Sequence, residues 1–240
     1  MFFKEKQARE RAVAAEAAQN AERRKVETEA SKSQQVAQFL KDMLDGVGPS
    51  VALGRDTAML REILDKTAER VGHGLGGQPE VEAELRSTIG DVYAALGDRE
   101  TASMMHEEAL KRRRGLYGEA HPAIAASLHS MGKLLEPLEG EKVLREALAM
   151  RKLVLGEDHP DVARSMTAIA FSLRAQGKLS EAEIVAREAL ALMRKSLGRD
   201  HPDVAESLLA LAQAVGHQQR FGESGELHGA ALEILRKVHG

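Results

Sequence analysis

The sequence predicts an all-α fold, an α-α superhelix of antiparallel helix pairs with a long helix at its N-terminal end. Three observations predict it: a core vocabulary short of aromatics, a block containing His-Pro that returns down the chain, and Gly and Pro at fixed places within that block. Hydrophobic residues make up 43% of the 240, yet there is no Trp and only two Tyr and five Phe. The core must be built from Ala, Leu, Val, Ile and Met. Strands favour aromatic and β-branched residues, whereas Ala, Leu, Met, Glu, Arg and Lys form helices well.

Residues 1–45 are rich in Ala, Glu, Arg, Lys and Gln without an internal Gly or Pro, so one long helix is expected there. Its apolar stripe is thin, with only Val26, Val36, Leu40 and Met43 near a heptad seam, which leaves both a coiled-coil dimer and a solvated helix open. Residues 46–55 contain Gly, Pro and Ser and read as a linker. A helix over 56–72 follows, with Met59, Leu60, Ile63, Leu64 and Ala68 on one side, and caps the first pair.

Four helix pairs are expected over 78–118, 119–156, 157–198 and 199–240. His-Pro occurs at His121, His159 and His201, and Glu-Ala-Leu begins at Glu108, Glu146 and Glu188 with the same spacings of 38 and 42. The shared shorter spacing places a four-residue deletion around Glu136–Gly140. Gly118, Gly156 and Gly198 stop helices, because glycine accepts positive φ without a Cβ clash. Pro122, Pro160 and Pro202 start the next ones at the first position, where a missing N–H costs nothing. Asp161 and Asp203 add negative charge beside the helix dipole.

These residues resemble the tetratricopeptide repeat (TPR), in the 42-residue spacing of kinesin light chains. The family's small, large, Gly and Ala positions match Gly90, Tyr93, Gly97 and Ala102 in pair one and Ala170, Leu173, Gly177 and Ala182 in pair three. Pair four departs at Gln219 and Ser224, and pair two carries the deletion and Pro137, so both are expected to be irregular. A second resemblance, to the region following the membrane span in bacterial Ser/Thr kinases with a TPR sensor, rests on Val36–Leu40, Leu60–Lys66, Gln78–Val81 and Ile89–Tyr93. It implies a sensing or interaction module, with Met1-Phe2-Phe3 as the stub of a removed span. No kinase motif accompanies it.

The family resemblance implies that the first helices of successive pairs line a groove for a protein or peptide. The inward-facing set is then Glu84, Ser87, Asp91, His129, Lys133, Glu136, Arg164, Thr167, Phe171, Arg174, Glu206 and Gln213. No catalytic residue, metal or cofactor is expected. Gly72, Gly74 and Gly77 spell a dinucleotide-binding pattern but follow a helix instead of a strand. Ser130 and Lys133 have acyl-enzyme spacing without its companion motifs. The three repeated histidines are a whole repeat apart, too far to share a metal, and read as helix starts. Lys111–Arg114 sits at a helix C-terminus, where cations suit the dipole, and no nucleic acid is expected. A net charge of -3 and zero cysteines leave the compartment open, and no run of residues is apolar enough to insert in a membrane. A homodimer through the last hairpin is the rival expectation, and the glycines at 222, 225 and 229 should make that hairpin the loosest part.

Overall fold

The computed structural model describes residues 57–74 and 78–239. Among these residues there are nine α-helices and no strand: α1 (Thr57–Gly74), α2 (Pro79–Ala95), α3 (Arg99–Tyr117), α4 (Pro122–Leu134), α5 (Pro137–Leu155), α6 (Pro160–Ala175), α7 (Leu179–Leu197), α8 (Pro202–His217) and α9 (Phe221–His239). None of them is long and apolar enough to cross a membrane. The helix expected over 1–45 and the linker over 46–55 lie outside the described residues.

The chain divides into two compact units within α2, the first ending at Leu85 and the second beginning at Arg86. In the first, α1 runs to Gly74, two residues past the helix end expected at 72. Gly77 lies outside the described residues. Leu64, Thr67 and Val71 are buried at spacings of three and four, which gives α1 one packed face.

The second unit is a row of helix pairs: the part of α2 from Arg86 on with α3, then α4–α5, α6–α7 and α8–α9. Each His-Pro starts a helix by a means that its proline alone does not supply. The imidazole is the N-cap: Nδ1 of His121, His159 and His201 accepts the backbone N–H of Ala123, Asp161 and Asp203 at 3.2, 3.1 and 3.1 Å. An accepting Nδ1 leaves the ring proton on Nε2. The preceding helices end at Gly118, Gly156 and Gly198, with φ of 77°, 87° and 83°.

Inside three of the pairs the turn is the same. The N–H of Asp98, Lys178 and Arg220 reaches back five residues to the carbonyl of Tyr93, Leu173 and Val215, the Schellman arrangement. Gly97 and Gly177 supply the left-handed residue at φ 80° and 78°, and Gln219 takes that place in pair four at φ 66°. The last hairpin therefore keeps the regular turn, with a non-glycine residue in a conformation that disfavours Cβ. Ser224, standing where Ala182 stands one repeat earlier, is buried and donates Oγ–H to the Ala212 carbonyl at 2.8 Å.

Pair two differs, because only Leu135 and Glu136 separate α4 from α5. The deletion is absorbed by closer approach. A Cβ on Gly140 would lie 2.4 Å from the Gly132 carbonyl oxygen, and one on Gly132 would lie 2.7 Å from Leu144 Cγ. Small interior residues bring helices together elsewhere too: Ala102, Ala109, Ala125, Ala147, Ala163, Ala182, Ala186 and Ala205 are fully buried. Tyr93, Leu144, Ile169, Leu173, Met193 and Leu208 fill the remaining volume.

Two polar devices recur with the repeat. Buried Arg113 and Arg151 donate to the hydroxyls of Ser127 and Ser165 in the next helix at 2.7 and 2.8 Å. Met193 replaces the arginine one repeat later, and Ser207 there lies 3.0 Å from Thr167 Oγ1. With Arg113 buried, Arg112 on Glu108 and Arg114 on Glu146, the basic run does not form one exposed patch. The second device is a carboxylate hub. Glu141 accepts from Arg145, Gln176 and Lys178 at 2.9, 2.7 and 3.1 Å, and Glu183 accepts from Arg187, Gln218 and Arg220 at 2.7, 3.0 and 2.7 Å. Desolvation pushes each carboxyl up, and these hydrogen bonds more than reverse it, holding both below the usual carboxylate range.

Candidate functional site

A groove of about 570 Å³ runs along the first helices of pairs two to four. Helix α4 contributes His129 and Lys133, one turn apart and so on one face. Glu136 stands in the short corner that follows. Helix α6 contributes Arg164, Ala168, Phe171, Arg174 and Ala175, again at spacings of three and four, and α8 contributes Asp203 and Glu206. Leu135, Pro137 and Leu144 add apolar wall beside Phe171.

The structure brings together seven of the twelve residues expected from sequence: His129, Lys133, Glu136, Arg164, Phe171, Arg174 and Glu206. Five lie elsewhere. Glu84 belongs to the first compact unit. Ser87 accepts from Arg113 Nη1 at 3.5 Å, and Asp91 lies 3.4 Å from Nε2 of buried His106. Thr167 is buried against Ser207, and Gln213 is half-buried beside the groove without lining it.

Arg99 and Asp203 were missed. Arg99 comes from α3 and donates to the Leu134 and Leu135 carbonyls of the short corner at 2.5 and 3.4 Å. Only the deletion hints at that reach. Asp203, read from sequence as a dipole charge, binds Arg164 Nε at 2.8 Å and Nη2 at 2.5 Å, while Asp161 pairs with Nη1 of the same guanidinium. Burial lowers the Arg164 pKa, and the two aspartates raise it further than burial lowers it. Arg164 is thus a bracket between α6 and α8, with its charge already compensated.

The groove's other cations are placed differently. Lys133 is exposed and forms no ion pair among the described residues. Arg174 donates Nη1 to His217 Nε2 at 3.3 Å, but its Nε–H is buried and has no acceptor. His129 Nδ1 is likewise buried without a partner. Burial, and then the charges of Arg151, Lys133 and Arg164, push the His129 imidazole down to about 3, so it is neutral at any physiological pH. The neighbouring cations thus add to burial in disfavouring the charged form of His129. Among the described residues no three His, Asp or Glu side chains converge to hold a metal ion.

A family model described as tetratricopeptide repeat matches residues 81–139, 136–195 and 169–237. No curated protein matches the chain in sequence. Among solved structures, the nearly identical TPR-like repeats of a Podosopora anserina protein described as a kinesin light chain align with a TM-score of 0.58 and 19% identity, over 86% of this chain and 96% of that one. BtubC (BKLC) from P. vanneervenii aligns with a TM-score of 0.60 and 18% identity, over 88% of this chain and 91% of that one. At such identities the likeness is one of fold.

Proposed function

This chain belongs to the tetratricopeptide-repeat family, and on that premise we propose that it is a scaffold that holds a protein or peptide segment in the groove of α4, α6 and α8. The observation that carries this reading is the convergence of Phe171 with Lys133 and Arg174, two cations without an ion pair among the described residues, on one concavity built from three successive repeats. Partly exposed apolar surface beside an unsatisfied donor is what a binding cleft offers and a merely solvated helix face does not. Phe171→Ala and Arg174→Ala, compared with the parent in a pull-down from the source organism, test it. Loss of the same captured protein in both variants supports the groove, and unchanged capture refutes it. The resemblance to kinase sensor regions extends the proposal to a signalling context. It is tested by the reading frame upstream of Met1, and a frame without a kinase domain removes it.

A second copy of the chain is the competing partner. On α9, Leu232 and Val238 are 48% and 44% exposed. Light scattering at high concentration decides between the two, since a strict monomer removes the self-association reading.

A further inference from the structure

We infer that the starts of α6 and α8 form one proton-released clasp, in which His159 and His201 hold the two helix ends and Arg164 joins the aspartates beside them. Each histidine serves its helix twice. Its Nδ1 accepts the N–H of Asp161 or Asp203, at 3.1 Å in both, and its carbonyl accepts the N–H of Val162 or Val204, at 3.0 and 2.9 Å. Ser, Thr, Asn and Asp caps keep their acceptor at any physiological pH, whereas imidazole takes up a proton between about pH 8 and 5. With Nε2 already protonated, the proton goes to Nδ1 itself. An acceptor then becomes a donor facing another donor, and a cation stands at the positive end of the helix dipole. The two side chains are 39% and 38% exposed, so solvent protons reach them.

The surrounding charges join the two starts. Asp161 Oδ2 and Asp203 Oδ2 lie 3.7 Å from the capping nitrogens, and both carboxylates are held by Arg164. On Asp203 the competition is direct, because the oxygen nearest His201 is the one that takes Nε and Nη2 of Arg164. A charged imidazole there attracts the carboxylate and repels the guanidinium, so loss of the cap and loosening of the α6–α8 bracket occur together. Of the other charges here, Lys195 of α7 lies in a recess with His159 and is held by Asp158, Glu157 of the same recess pairs with Lys152, and Lys237 of α9 is held by Asp200 just before His201. In pair two Ala123 stands where the aspartates stand, so α4 has the cap without the clasp.

The test is amide exchange of the full chain followed by NMR between pH 7 and pH 5, with each rate divided by its intrinsic value and the imidazole nitrogen shifts read alongside. Protection of the Asp161 and Asp203 N–H groups should fall about fivefold as Nδ1 gains its proton, the effect of losing one typical cap. Residue-level protection separates this from whole-chain unfolding, to which His129 contributes. In His201→Asn, whose side chain accepts at both pH values, the fall at Asp203 should vanish and that at Asp161 should shrink. In Arg164→Gln, the fall at Asp161 should be the same with and without the His201 change. Protection that stays constant while Nδ1 is protonated, or an Nδ1 still bare at pH 5, overturns the proton release. A fall of full size at Asp161 in His201→Asn overturns the joint clasp and leaves two separate caps.

Discussion

Acidification provides a measure of how completely the groove suppresses the charge of His129. In the unfolded chain this imidazole titrates near 6.5, and in the folded chain near 3. A base with a depressed folded pKa is protonated first in the unfolded state, so between those values stability falls as pH falls. From pH 7 to pH 5 the unfolded state gains about 1.9 kcal/mol from this one group while the native state gains almost nothing. The window also lies above the range in which Glu141 and Glu183 lose their hubs. Urea unfolding of the parent and of His129→Gln at both pH values isolates the effect, since the comparison removes what is common to both proteins. The pH 7 to pH 5 loss should be smaller in His129→Gln by about 2 kcal/mol. Equal losses would refute the account of a neutral His129 held in a positive field.

Further outcomes follow from single positions. Gly140→Ala should be less stable than Gly225→Ala by about 2–3 kcal/mol in urea unfolding: both gain about 1 kcal/mol of helix propensity, but only the first meets backbone, at Gly132. Similar stabilities would mean the α4–α5 corner yields freely. His201→Ala should cost about 1 kcal/mol and His201→Asn much less, because asparagine restores a side-chain acceptor for the Asp203 N–H, and thermal melts would show an inverted order if the cap were idle. Gln219→Gly should raise stability by up to about 1 kcal/mol, since the residue already sits at φ 66°, and a lower melting point would contradict the left-handed turn. Glu183→Gln should destabilise at pH 7 and leave a weaker dependence of the unfolding midpoint below pH 5, as the depressed carboxyl no longer takes up a proton there. An unchanged acid profile would argue that the Glu183 hub contributes nothing.

Most of the fold could be read from local chemistry. The glycine stops, the proline starts and the apolar spacing of α6 each depend on a few neighbouring residues, and those appear where expected. The groove was legible only in part, because facing is decided between repeats. Thr167 has the right spacing to point inward, but a serine one repeat on, Ser207, draws it into the interior. Arg164 reads as a free cation until the start of α8 lays Asp203 beside it. The role of the repeated histidines as caps was visible only as a helix-start position, since imidazole is an uncommon cap and its tautomer is set by the hydrogen bond it makes. The irregularity expected of pair four did not arise in its turn, because Gln219 bears the strain that glycine would have avoided.

The close approach of Gly132 and Gly140 also ties loop length to side-chain size. With only two residues between α4 and α5, a methyl group on Gly140 would meet the Gly132 carbonyl, so an alanine there demands a longer turn or a displaced helix.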